Sequence, residues 1–301
     1  MNSYPMYPYY GYEKKCKELP LTFPPQHQNV QPGLEYQMVP PPISDNPSYK
    51  GSGKLKDKSA IITGGDSGIG RAVAIGFAKE GANVVIAYLY EQEDANATKE
   101  KVEQYGVKCL TVPGDLRNEN TSQELIEETI EHFGKLDILV MNQAVQYPQV
   151  SIMDITKEQL ETTFQTNVFP MFYMVKAALP HLKRGSSIIS TTSVTAYKGN
   201  ALLLDYSSTK GALVTFTRSL SSQLVDKGIR VNAVAPGPIW TPLIVSSYQA
   251  PYVSQFGRDT PMKRPGQPFE LAPTYIYLAS DDSAYVTGQV LHVNGGTITD
   301  S

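Results

Sequence analysis

The chain has 301 residues and a net charge of −3, with 26 Lys and Arg against 29 Asp and Glu. That length suits one large α/β domain with an appendage, and the near balance of charge argues against a nucleic-acid or anionic-membrane surface. Two cysteines, Cys16 and Cys109, and four scattered histidines (27, 132, 181 and 292) lack the spacing of a disulfide scaffold or a metal site. No metal is therefore expected, and the cysteine usage fits a reducing, cytoplasmic location. No apolar run is long enough to span a bilayer, and Met1-Asn2-Ser3-Tyr4-Pro5 lacks the basic start and apolar segment of a secretory signal.

Residues 1–53 differ from the rest. They hold ten of the 22 prolines and seven of the 19 tyrosines, with balanced charge. Proline at this density forbids helix and favours extended segments, so this part reads as an arm, and residues 1–18 as a disordered tail. Leu34, Tyr36, Met38 and Val39 supply apolar anchors. An extended arm carrying them over residues 24–50 is expected to lie across a neighbouring subunit.

The domain proper runs over residues 54–301. Ser59–Thr63 is a short apolar run that ends in glycines, as buried parallel strands do. Ile69, Val73 and Phe77 then step at helical spacing, and Asn83–Tyr88 is a second strand. Further strands are expected near 108–112, 136–141, 187–192, 229–234 and 289–293. Helices are expected near 93–105, 121–134, 157–183, 206–227 and 269–280. This alternation predicts a doubly wound parallel seven-stranded sheet, a Rossmann fold. Residues 240–268 lack periodicity and read as a substrate lid.

Between the first strand and helix lies Thr63-Gly64-Gly65-Asp66-Ser67-Gly68-Ile69-Gly70. Gly64 allows the tight turn, Gly68 a close approach to a pyrophosphate and Gly70 close packing of helix on strand. Further on, Tyr206 and Lys210 stand four apart at the start of a helix, on one face. An ammonium beside a phenol favours the phenolate, so a tyrosine pKa lowered from about 10 is expected, suited to proton exchange with a carbonyl or alcohol. Ser193 lies thirteen residues upstream, where an apolar strand gives way to hydroxyl residues.

Together these motifs resemble the short-chain dehydrogenase/reductase family. Gln31-Pro32-Gly33-Leu34-Glu35 and Met38-Val39-Pro40 resemble the arm of its general stress protein 39 and glucose/ribitol-dehydrogenase subgroup. The resemblance implies catalytic roles for Asn167, Ser193, Tyr206 and Lys210. Asn167 would kink a helix and anchor a water to the lysine, Ser193 would bind the substrate oxygen, and Tyr206 would act as general acid or base. It places Gly64, Asp66, Ser67, Gly68, Ile69, Gly70, Tyr88, Asp115, Leu116, Asn142, Tyr206, Lys210, Pro236, Gly237, Ile239 and Thr241 against NAD or NADP. It also implies a homotetramer built through the long helices and last strand.

Two departures stand out. Tyr88 sits where a carboxylate would hold the ribose of NAD, which tilts the expectation slightly toward tolerance of NADP. Met141 and Gln143 replace the smaller residues of the family pattern, leaving Asn142, and are expected to crowd the cofactor. They keep open an alternative, a cofactor-binding protein of weak turnover with a structural or stress-related role. Three residues between Tyr206 and Lys210, fewer than in the family's enoyl reductases, favour a carbonyl/alcohol enzyme. Gln146, Tyr147, Gln149, Tyr197 and Trp240 are expected to wall a pocket for a sugar, polyol or small aldehyde.

Overall fold

The computed structural model describes residues 12–14 and 18–297. Seven strands pair in parallel in the order β5-β4-β3-β6-β7-β8-β9. They are β3 (Ser59–Thr63), β4 (Asn83–Tyr88), β5 (Cys109–Pro113), β6 (Ile138–Met141), β7 (Ser187–Thr191), β8 (Arg230–Pro236) and β9 (Val290–Val293). Ahead of them β1 (Tyr12–Lys14) and β2 (Glu18–Pro20) form a small antiparallel pair. Within the expected disordered tail of residues 1–18, Tyr12–Lys14 is therefore a strand, paired with Glu18–Pro20 at the tail's end. Residues 1–11 and 15–17 lie outside the described part.

Ten helices fill the connections: α1 (Gly68–Lys79), α2 (Gln92–Glu103), α3 (Glu119–Phe133), α4 (Lys157–Asn167), α5 (Phe169–Ala178), α6 (Thr195–Lys198), α7 (Leu204–Leu224), α8 (Pro242–Ser247), α9 (Ala250–Val253) and α10 (Ala272–Ala279) among the described residues. The strand side chains alternate between two cores. Ala60, Ile62, Val84 and Ile86 meet Val73, Phe77, Val102 and Ile276 from α1, α2 and α10. Ile61, Val85, Leu139 and Ile188 meet Leu125, Met174 and Leu213 from α3, α5 and α7. A period of two along strands buried on both faces is why these segments read as continuous apolar runs.

The helix expected over 157–183 is two helices. Pro170, in the first turn of α5, has no N–H to bond the Thr166 carbonyl, and its ring crowds that carbonyl. Gln143 Nε2 reaches the same carbonyl at 3.5 Å. The lid stretch carries α8 and α9, each too short for a periodic pattern to show. Among the described residues no helix is long and apolar enough to cross a membrane.

The arm makes close contacts with the domain of its own chain. Phe23 stacks flat on Trp240, ring centroids 3.5 Å apart, and the indole Nε1 donates to the Pro40 carbonyl at 2.9 Å. Phe269 N–H donates to the Ile43 carbonyl at 3.0 Å, and Lys79 Nζ to the Asn46 carbonyl at 2.7 Å. Of the expected anchors only Met38 is buried, while Tyr36 and Val39 are about half exposed, at 51% and 50%. The arm alternates less regularly than a strand because prolines, not a ladder, set its path. Trp240 is 0% exposed beneath it, a core residue and not a pocket edge.

Removing the stacked ring tests this packing. Phe23→Ala is expected to cost about 3–5 kcal/mol of stability, the range for a large buried aromatic. Urea unfolding followed by Trp240 fluorescence measures it, and a loss under about 1 kcal/mol would contradict it.

Candidate active site

Parallel pairing brings the C-terminal ends of β3, β6, β7 and β8 to one edge of the sheet. The strand order reverses between β3 and β6, and such a switch point leaves a crevice. A cavity of about 370 Å³ opens there. It runs from Tyr88 and Asp115 past Gly64 and Gly68 to Tyr206 and Lys210.

The glycine turn follows from its backbone. Gly64 and Gly68 have φ of +60° and +51°, the left-handed region that disfavours a side chain. A Cβ on Gly70 would lie 1.9 Å from the Gly64 carbonyl oxygen, which fixes α1 tightly on β3. Thr63 Oγ1 accepts the Asn142 N–H at 2.9 Å, tying the turn to the end of β6. The Ile69 and Gly70 amides, in the first turn of α1, have no intrahelical partners and suit an anionic diphosphate. Left-handed glycines, free amides and a cavity passing directly over them fit a dinucleotide.

Asp66, Ser67, Ile69, Leu116, Asn142, Pro236, Gly237, Ile239 and Thr241 also line the cavity, as do Ser193, Tyr206 and Lys210. Gly70 and Asn167 do not. Asn167 ends α4, where the chain breaks as expected. Its Oδ1 accepts the Val145 N–H at 2.9 Å, and its Nδ2 donates to the Val145 carbonyl at 2.9 Å and to Thr209 Oγ1 at 3.1 Å. It thereby ties a wall of the cavity to α7.

Tyr206 and Lys210 sit on the first turns of α7. Asp205 Oδ1 accepts the Tyr206 N–H at 2.8 Å, and its Oδ2 accepts from Thr163 Oγ1 at 2.8 Å, holding the helix start in place. Ser193 Oγ accepts the Thr195 N–H at 3.1 Å and stands close enough to Tyr206 to favour its phenolate. Lys210 is 1% exposed, and its Nζ donates to the Thr191 carbonyl at 2.8 Å. Burial pushes the Tyr206 phenol up to about 12, against the pull of Ser193, and pushes Lys210 down to about 7. The expected depression of the tyrosine is thus reversed. The ammonium lies 5.5 Å from the Tyr206 ring centroid but is turned to a backbone carbonyl, so desolvation wins over attraction.

Other expectations also change. Met141 is fully buried among Leu139, Met171 and Met174 and does not reach the cavity, because its place on β6 points it to the α3–α5 face. Only Gln143 lines it, with its amide oxygen accepting from Thr63 Oγ1. Gln146 and Tyr147 line the cavity as expected. Gln149 instead donates to Gln159 Oε1 at 2.7 Å, and Tyr197 packs edge-on to His292. The aromatic wall comes from Tyr248, Tyr252 and Phe256 of the lid. They stand four apart, a helical spacing inside a stretch that otherwise reads as aperiodic.

Glu91 was also missed. Three residues past Tyr88, it folds back so that Oε2 accepts the Leu89 and Tyr90 N–H groups, at 3.1 and 2.8 Å. It lines the cavity with Asp66, whose carboxyl is raised to about 7 by burial and by Glu91. Glu91 thus puts a carboxylate near the uncharged Tyr88, which removes the reason for a tilt toward NADP, since a carboxylate there repels a 2′-phosphate.

The lysine shift carries a pH signature. Below pH 7 both folded and unfolded chains hold the Lys210 proton, and the fold bears the cost of the buried charge. From about 7 to the ordinary 10.5 the unfolded chain holds a proton that the folded chain has released, so stability rises with pH. Denaturant unfolding of wild type and Lys210→Met across pH 7 to 10 should show wild type gaining on the variant. A constant difference would contradict the shift.

The family model described as Enoyl-(Acyl carrier protein) reductase matches residues 64–298. The uncharacterized oxidoreductase YhxC of Bacillus subtilis (strain 168) is 64% identical over 92% of this chain and 96% of its own length. General stress protein 39 of the same organism is 56% identical over 92% and 97%. The glucose and ribitol dehydrogenase of Daucus carota is 51% identical over 92% and 97%. A short-chain dehydrogenase from Burkholderia cenocepacia J2315, solved in complex with NADP, superposes with a TM-score of 0.76 at 28% identity, over 81% of this chain and 99% of that one. Glycine turn, switch-point cavity and full-length relatives agree: the chain belongs to the short-chain dehydrogenase/reductase family, as an NAD(P)-dependent oxidoreductase acting on CH–OH groups.

Proposed function

We propose that the chain interconverts the hydroxyl and carbonyl forms of a sugar, polyol or small aldehyde, with Tyr206 as general acid and base. The convergence of Ser193, Tyr206 and Lys210 at one end of the cavity carries the reading. Residues 54–301 carry the chemistry and residues 1–53 form an arm.

The cofactor supplies or accepts the hydride. In reduction, Ser193 hydrogen-bonds the substrate oxygen and the Tyr206 hydroxyl donates a proton to it. A phenol raised by burial holds that proton at neutral pH and releases it only to the developing alkoxide. Lys210, held by the Thr191 carbonyl, lies close enough to stabilise the phenolate left behind. Asn167 supports this end through Val145 and Thr209.

The substrate class rests on the walls. Tyr248 stacks on Tyr252 with centroids 4.2 Å apart, and Tyr147, Gln146 and Asn200 complete an aromatic and amide surface. Such a surface suits a hydroxylated chain or ring, as the name of the carrot relative, glucose and ribitol dehydrogenase, also suggests. The short spacing from Tyr206 to Lys210 supports carbonyl chemistry over the enoyl reduction in the family model's description.

A panel of aldehydes, aldoses, polyols and an enoyl thioester, read by the absorbance of reduced nicotinamide, tests this. Turnover of an aldehyde or polyol is expected, with NAD(H) preferred to NADP(H) because of Glu91. Tyr206→Phe is expected to lose about 10²–10⁴ in kcat, the scale of a lost general acid, with cofactor Kd unchanged. Turnover of the enoyl thioester alone, or a Tyr206→Phe variant of near wild-type rate, would contradict it.

A further inference from the structure

The arm does more than cover the domain. Gln31, Pro32 and Gly33 line the cavity, and the residues beside them bind both of its banks. On the glycine-turn side, Glu35 is 2% exposed and its Oε2 accepts the Gly68 N–H at 2.6 Å. Its other oxygen pairs with Arg71 on α1. Arg71 also donates to Asp94 Oδ1 at 3.1 Å, to the Asp66 carbonyl at 2.8 Å and to Thr98 Oγ1 at 2.7 Å. Asp94 accepts the Glu35 and Tyr36 N–H groups at 2.7 and 3.2 Å. A buried ring of charge thus joins arm, turn and α2.

The other bank is the lid together with the loop after β6. Gln28 N–H donates to the Val245 carbonyl of α8 at 2.8 Å. Gln31 Nε2 donates to the Gln146 carbonyl at 2.6 Å, and Gln146 N–H returns to Gln31 Oε1 at 3.2 Å. Gly33 lies so close to α8 that a Cβ would stand 2.6 Å from the Pro242 carbonyl oxygen. Between the banks, Tyr90 donates to the Pro32 carbonyl at 2.7 Å.

We propose that this segment is a working part of the cofactor site, with Glu35 a positioning residue for the glycine turn and Gln31–Gly33 an outer wall that must part for cofactor exchange. The inference rests on the reading of the cavity as the NAD(P) site. The first amides of α1 lack intrahelical partners. Glu35 takes up the amide of Gly68, which fixes the turn and leaves those of Ile69 and Gly70 for the diphosphate. A carboxylate is suited to this because it also interacts favourably with the positive end of the helix. Because the same segment bonds to α8, turn and lid are coupled through the arm. A purely structural strap could cross anywhere; this one ends on the turn that faces the cavity.

The test uses the full-length chain, with Glu35→Ala, Glu35→Gln and Gln31→Ala beside wild type. Reduced nicotinamide cofactor is the probe, its Kd and dissociation rate read by its own fluorescence, with the thermal midpoint measured in parallel. Glu35→Ala should weaken binding roughly tenfold or more, the scale of a lost hydrogen bond to a charged group. Glu35→Gln, whose amide oxygen can accept the same N–H, should recover much of that. Gln31→Ala should release cofactor severalfold faster with its midpoint little changed. Should Glu35→Ala fail to fold, the dissociation rate of Gln31→Ala decides. Kd and dissociation rate within about twofold of wild type in the folded variants would overturn the proposal while leaving the dehydrogenase reading intact. No binding by wild type would overturn both.

Discussion

The floor of the site hangs from strands paired in parallel. Parallel pairing puts the ends of β3, β6, β7 and β8 on one edge, and each end delivers a different part: Gly64, Asn142, Ser193 and Gly237. The reversal of strand order after β3 opens the crevice that these ends share. Ser193 and Tyr206 are thirteen residues apart in the chain. They meet because α7 packs back against the sheet beside β7, where Lys210 bonds the Thr191 carbonyl and Thr192 Oγ1 bonds the Lys210 carbonyl at 2.7 Å.

Burial governs the chemistry of those groups. An ammonium and a phenol on one helical face suggest mutual stabilisation, and in water that would hold. Here both are removed from solvent, and the loss of hydration opposes each charge separately. The pair is therefore poised with the phenol protonated and the lysine close to neutrality. That arrangement suits delivery of a proton to a developing alkoxide better than storage of a standing phenolate.

What the sequence made legible was local. The glycine turn, the α7 face and the alternation of strands and helices each lie within a short window, governed by backbone preference and by periods of 2 and 3.6. What it hid was long-range. Trp240 was expected at the pocket and lies in the core, because Phe23, more than two hundred residues earlier, covers it. Met141 sits in a motif that faces the cofactor, yet strand alternation sends its side chain to the opposite core. Glu91 reaches the cavity only because the chain folds back after β4. Glu35 could not be read as part of the glycine turn, since its role depends on an arm path that prolines and scattered side-chain bonds define. Hydrophobicity alone predicts Tyr36 and Val39 as anchors, and the arm's turn leaves both about half exposed.

One continuous cleft runs from the glycine turn to Tyr206, with Gln31–Gly33 of the arm on its wall. Amide hydrogen exchange with and without saturating reduced cofactor tests this most directly. Such a cleft predicts that exchange slows together in residues 64–71, 192–194, 236–241 and 28–36. Slowing confined to the glycine turn, with the Tyr206 end and the arm unchanged, would contradict it.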